Sequence, residues 1–257
     1  MSATDPRPLD VDPSPVRQLG VLLTADLLVQ IRNARVLVIT LVVPVVLLVG
    51  IGHNQRAQMP TNLRLGLAIM LGTALLAVIT YPSTLARDRE LGVLQRLRVT
   101  PVPGWLILVS RLLIQVGAVL ILSLILMLVS GFALHLNFHP AEYLWTLLTA
   151  LLGSALYLSA GQAVVALVYN PETVRATSAL VGVGLILLGV FGHTPLLGST
   201  FETFARWSPG GAYADLLAAA TTGGAWTGSI AASLAACLGY AAVFAVVGVR
   251  WFRWTRP

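Results

Sequence analysis

The sequence predicts an all-α polytopic membrane protein with six transmembrane helices, an amphipathic interfacial helix ahead of them and a broken outer helix before the last. Three observations predict it. Of the 257 residues, 57% are hydrophobic and only 10% charged, whereas a soluble domain carries about 25% charged residues. A water-soluble fold of this length has too little interior to hide so much apolar surface. The apolar residues fall in long runs separated by short charged stretches, which is the membrane pattern. Finally, the 16 basic residues gather between alternate apolar runs.

The elements follow in chain order. Residues 1–15 hold Asp5, Asp10, Asp12 and four prolines, and lack the basic start and apolar stretch of a signal peptide. They read as a flexible cytoplasmic tail. Residues 16–35 carry an apolar seam at Val16, Leu23, Leu27, Ile31 and Ala34, with Arg17, Arg32 and Arg35 elsewhere on the wheel. This predicts a helix lying in the inner interface with its arginines at the headgroups. A six-span transmembrane domain, 36–249, follows, and 250–257 forms a second cytoplasmic tail.

The spans are predicted at 36–52, 65–86, 106–134, 144–169, 176–197 and 226–249. Most reach the roughly 20 residues that cross a bilayer core at 1.5 Å per residue. The first is short and contains Pro44, tolerated in a membrane helix when neighbours satisfy the freed carbonyl. Segment 199–224 mixes Phe201, Phe204, Trp207 and Tyr213 with Glu202, Arg206 and Asp215, and Ser208-Pro209-Gly210-Gly211 interrupts it. It is expected to be a broken helix dipping into the outer leaflet.

Arginine placement sets the orientation. Thirteen arginines fall on the side of the two termini, and three, Arg56, Arg64 and Arg206, on the other. By the positive-inside rule both termini are cytoplasmic.

The chain contains no lysine. A phosphate-binding loop of the G-x-x-x-x-G-K-[ST] kind is therefore impossible, as is a Schiff-base lysine. A net charge of +6 in a soluble chain would point to nucleic acid, but arginines set between apolar runs fit membrane topology instead. The single cysteine, Cys237, lies in an apolar run and reads as a small buried residue.

The loop between the second and third spans is the most informative stretch. Leu91, Leu94 and Leu97 recur every third residue, giving an apolar stripe on a short helix, and charges of both signs surround it. Thr100-Pro101 ends it. Such a helix suits docking into a groove on a soluble partner. A solvated connector made basic by the positive-inside rule reads equally well.

This loop resembles the corresponding loop of type-2 ABC permeases, in which an acidic-Arg-Glu-x-Gly-Thr-Leu-Glu-x-Leu-Arg-x-Thr-Pro-Val pattern is typical. The match covers Asp88-Arg89-Glu90, Gly92, Leu94, Leu97, Arg98, Thr100, Pro101 and Val102, and departs at Val93 and Gln95. Across the chain the resemblance extends to the helix before the first span, Pro44, the six spans and the outer Trp207-Ser208-Pro209 with Tyr213-Ala214-Asp215-Leu216-Leu217. It implies a permease of the cell (plasma or inner) membrane that pairs with a second copy, identical or related. Two ABC ATPase subunits would carry ATP and Mg, and this chain would bind no cofactor itself. Asp88, Arg89, Glu90, Leu91, Gly92, Leu94, Leu97 and Arg98 would form the ATPase-coupling loop.

Ser178, Gly182, Gly189 and Gly192 share one narrow face of the fifth span. Small faces let helix backbones approach closely in lipid. This face is either the seam between two permease copies or a packing surface against another span of the same chain. Gln162 in the fourth span either faces a substrate path or bonds to a neighbouring helix, and Phe191 and His193 are candidates to line an outer gate. His135 and His139 have the spacing of a metal pair, but only Glu142 stands near as a third ligand, so no metal site is expected. The cargo expected is a hydrophobic or amphipathic compound such as a drug, an antibiotic or a lipid, because no span interior holds an aspartate or glutamate. The alternatives are a proton-coupled carrier, which usually needs such a carboxylate, and a membrane scaffold without transport.

Overall fold

The computed structural model describes residues 15–32, 34–53, 60–92, 103–194, 198–223 and 227–251. Every regular element among them is helical: α1 (Pro15–Arg32), α2 (Ala34–His53), α3 (Thr61–Ala74), a π-helical stretch (Leu75–Thr80), α4 (Tyr81–Glu90), α5 (Gly104–Leu134), α6 (Pro140–Leu167), α7 (Pro171–Phe191), α8 (Ser199–Trp207), α9 (Pro209–Ala220) and α10 (Gly228–Arg250).

Five helices are long and apolar enough to cross a membrane: the continuous rod Thr61–Glu90, α5, α6, α7 and α10. They match five of the six predicted spans. The remaining prediction, 36–52, falls on α2, whose apolar stretch among the described residues is Val38–Gly50. That is shorter than the roughly 20 residues a crossing needs.

The ends of the spans are set by chemistry that hydropathy does not register. The fifth span was expected at 176–197, but α7 runs Pro171–Phe191. Asn170 caps it, its side chain accepting from the Glu172 amide at 2.9 Å, and Pro171 occupies the first turn, where no amide hydrogen is needed. The helix closes at Gly192.

The rod Thr61–Glu90 is the centre of the bundle. Its π stretch, Leu75–Thr80, ends just before Pro82. A proline inside a helix has no amide to donate and presses on the carbonyl four residues back. One wider turn absorbs that crowding without a break. The widened backbone lies against α6 at Gly161, where a Cβ would stand 2.5 Å from the Ala77 carbonyl oxygen and 2.8 Å from the Pro82 ring.

α9 is buried on almost every side, with Gly210, Gly211, Ala212, Tyr213, Ala214, Leu216, Leu217 and Ala220 inside the protein. The predicted broken helix is present, with its break at Ser208, but its second half packs among α3, α6, α7 and α10. Tyr213 meets Tyr157 of α6 edge-on, with centroids 5.4 Å apart, and its hydroxyl is 3.3 Å from that of Thr73. Gly153 makes room for the ring: a Cβ there would lie 2.0 Å from it.

At the periphery, α10 buries only Ser233, Cys237 and Gly248. Phe132, Leu180, Val243 and Val249 stand exposed on the spans. A contiguous apolar exterior of this kind is compatible with lipid and not with water. The chain is a multi-pass membrane protein.

Candidate functional sites at the two ends of the bundle

The first site is the end of the bundle where α4 stops and α5 begins. α4 ends at Glu90, and Leu91 and Gly92 turn the chain, with Leu91 donating to Arg87 at 2.9 Å and Gly92 to Arg89 at 3.3 Å. Gly92 has φ of 68°, a left-handed conformation that glycine adopts without penalty. Leu91 therefore sits in the turn that closes α4. Leu94, Leu97 and Arg98 lie outside the described residues.

Three residues of the motif have different surroundings. Asp88 forms an ion pair with Arg111 in the second turn of α5. Arg89, expected at a partner surface, is instead buried. Its Nη1 donates to the Val165 carbonyl at 3.3 Å. Val165 lies in the last turn of α6, where carbonyls have no helical partner and a cation is favoured. Glu90 and Leu91 are exposed.

Neighbouring hydrogen bonds extend this network. Ser110 of α5 donates to Asp26 of α1, and Gln115 donates to Gln30 at 3.4 Å. α1 thus seats on α5 through the face bearing Leu22, Leu23, Asp26 and Gln30. Of the expected apolar seam, Leu23 lies on this face, whereas Val16, Leu27 and Ile31 are exposed. Two polar side chains were absent from the apolar seam but make the contact.

The second site is the opposite end of the bundle. His193 follows α7, and Arg206 and Asp215 come from α8 and α9. His193 Nδ1 lies 2.9 Å from the Gly189 carbonyl oxygen and Nε2 lies 2.9 Å from Asp215 Oδ1. Both ring nitrogens face acceptors, an arrangement that the doubly protonated ring satisfies and a neutral tautomer only half satisfies. Arg206 forks onto the same carboxylate, Nε to Oδ2 at 3.0 Å and Nη2 to Oδ1 at 3.2 Å. Ser233 of α10 reaches Oδ2 at 3.5 Å. One carboxylate thus ties together α7, α8, α9 and α10.

The electrostatics agree with the geometry. Burial opposes charge on His193, but the hydrogen bonds to Asp215 and Gly189 outweigh it and raise its pKa above the usual 6.5. Burial likewise opposes charge on Asp215, and the bonds from His193 and Arg206 outweigh it and hold its pKa below the usual carboxylate value. The bond to Asp215 raises that of Arg206. A cleft of about 310 Å³ opens beside this cluster between α8, α9 and α10.

The other candidates divide. Phe191 packs edge-on against Phe201, with centroids 6.0 Å apart, at the same end as His193. Gln162 accepts from the Tyr81 hydroxyl at 2.8 Å, so it bonds to a neighbouring helix. The small-residue stripe of α7 is occupied within the chain: a Cβ on Gly182 would meet Ile79 at 2.8 Å, on Gly189 Met70 at 2.5 Å, and on Gly192 the Arg206 backbone at 3.0 Å. Ser178 is fully buried. This face is a packing surface inside one chain, which removes it as a seam between copies. His139 and Glu142 cap the start of α6 reciprocally, and His135 ends α5 in a left-handed conformation. Among the described residues no three His, Cys, Asp or Glu side chains gather as a metal site.

The Asp215 cluster was missed in the sequence, although all three members were visible as polar residues near the same end. Their separations of nine and twenty-two residues straddle a helix break and carry no periodic signal.

No curated protein sequence gives a match to the chain. A family model described as "ABC-2 family transporter protein" matches residues 54–250, which takes in all five long spans, the loop motif and the buried outer helix. The chain belongs to the ABC-2 family of transporter proteins, and is the permease subunit of an ABC transporter.

Proposed function

We propose that this permease works as a pair of copies driven from the cytoplasm by two separate ABC ATPase chains, exporting a hydrophobic or amphipathic compound such as a drug, an antibiotic or a lipid. ATP and Mg²⁺ would be held by the ATPases, since a chain without lysine has no phosphate-binding loop. α2 would be the first of six spans. Its 13-residue apolar stretch, Val38–Gly50, covers about 20 Å, and local thinning and flanking residues can absorb such a mismatch. The arginine distribution would then place both termini in the cytoplasm of a plasma or inner membrane, with α1 along its inner surface.

The observation that carries this reading is the Asp88–Arg111 pair beneath the loop. It joins the two spans that the loop connects, so a push on the loop acts on both together. Arg89 joins the same end to α6, and Asp26 joins it to α1. A rigid end with Glu90 and Leu91 exposed beside it is what a soluble motor needs to move a membrane bundle. The acidic residues favour a cargo without a proton-coupled step: Asp88, Glu90, Glu142 and Glu172 sit in the terminal turns of spans, and the half-buried Asp215 is held in its charged form by His193 and Arg206.

The test is Leu94→Asp in cells carrying the ATPase. Losing an apolar contact of this size removes about 1.5–3 kcal/mol, or about tenfold in affinity per 1.4 kcal/mol. Normal membrane abundance with weak ATPase pull-down and lost efflux is expected. Full pull-down and full efflux would show the loop to be a solvated connector.

A further inference from the structure

We infer that the cleft between α8, α9 and α10 binds the headgroup of a zwitterionic phospholipid with a free amine, as in phosphatidylethanolamine. Two opposite charges line the cleft, Glu202 and Arg206, and the field of the first acts on the second along α8. Arg206 uses Nε and Nη2 on Asp215, which leaves the Nη1 hydrogens for another acceptor. Its side chain is 53% exposed. Asp215 already faces two cations and has no charge to offer. Glu202 lines the same cleft; its charge acts on Arg206 at a distance, with no ion pair within 4 Å among the described residues, so its carboxylate oxygens are open to a donor.

Glu202 and Arg206 are four residues apart on α8, so their Cβ atoms stand about 5–6 Å apart on one face. A phosphoethanolamine group fits that spacing. Its phosphate would accept charge-assisted hydrogen bonds from Arg206 Nη1, and its ammonium would donate to Glu202, with the Thr203 and Ser229 hydroxyls beside it. Phe204 and Trp207 on α8 are exposed, at 67% and 52%. Of the two, Trp207 lines the cleft and supplies an apolar edge for the acyl chains, and tryptophan favours the headgroup level of a bilayer. A purely anionic headgroup would place negative charge near Glu202 with no ammonium to meet it. A choline headgroup has no hydrogen to donate.

The experiment is native mass spectrometry of the full chain in detergent, offered equal amounts of phosphatidylethanolamine, phosphatidylglycerol and phosphatidylcholine. Retention of phosphatidylethanolamine about two- to fivefold above the others is expected, the range of one exposed ion pair. Glu202→Gln should erase the preference and Glu202→Lys should turn it toward phosphatidylglycerol. Glu202 makes no hydrogen bond to Asp215 and reaches the cluster through its field on Arg206, so thermal unfolding of both variants close to that of the parent shows that the fold is kept. Soluble phosphoethanolamine at the same concentration should leave the lipid in place, because the apolar edge at Trp207 favours only an acylated ligand. Equal retention of all three lipids, a preference unchanged in both variants, or displacement by the soluble headgroup would overturn the assignment.

Discussion

His193 holds a proton because of where its two nitrogens point. Its raised pKa has a definite sign for stability: the contribution is complete below the ordinary value of 6.5 and is lost as pH climbs through the raised value. Asp215 acts at the other limit. Its contribution is present above the ordinary carboxylate value and is lost as pH falls through the depressed one. The cluster is therefore complete only between these limits. Hydrogen exchange at the amides of α8 and α9 should quicken as pH rises above 6.5, by up to about 1.5–3 kcal/mol of protection, the range for bonds to charged groups. In His193→Gln, which keeps a neutral hydrogen-bonding side chain, the added quickening should vanish. A variant with the same pH profile as the parent would show that His193 does not hold its proton through Asp215.

At the scale of elements, close backbone contacts hold this bundle together. A Cβ on Gly210 would fall 2.0 Å from the Leu185 carbonyl oxygen, whereas one on Gly184 of the same α7 meets nothing within 4 Å. Gly210→Ala should destabilise by about 1–3 kcal/mol, as overpacking does. Gly184→Ala should be neutral or stabilising by up to about 1 kcal/mol through helix propensity. Thermal unfolding of the two variants in detergent checks this, and equal shifts would mean that α9 does not sit against α7. The comparison also separates what was legible from what was not. Five spans could be read because their apolar runs exceed a membrane's thickness. The ends of α7 could not, because Asn170 and Gly192 set them through backbone geometry while hydropathy continues beyond. Small residues at Gly182, Gly189 and Gly192 announced a close contact but not its partner, which depends on how distant elements meet. The burial of α9 was hidden for a related reason. Its mix of aromatic, charged and small residues reads as a helix dipping into the outer leaflet, and the room that Gly153 leaves on α6 explains why Tyr213 goes inside.

For the whole molecule, the two ends of the bundle differ in design. One end joins α1, α4, α5 and α6 through Asp26, Asp88 and Arg89. The other closes α7, α8, α9 and α10 around one carboxylate. The loop motif was legible as sequence, but the roles of its members were not, since Arg89 turned inward to the end of α6 while Asp88 paired across to α5. The orientation proposed from the arginines predicts that reporter fusions at Pro257 and within 199–224 lie on opposite sides of the membrane. Finding both on one side would remove the six-span arrangement. The central claim is that this chain supplies the path and a separate ATPase supplies the energy. Transport measured in proteoliposomes containing the chain with and without its ATPase tests that directly. The account predicts cargo movement only with the ATPase and ATP, unaffected by collapsing a proton gradient. Movement by the chain alone that stops when the proton gradient is collapsed would contradict it.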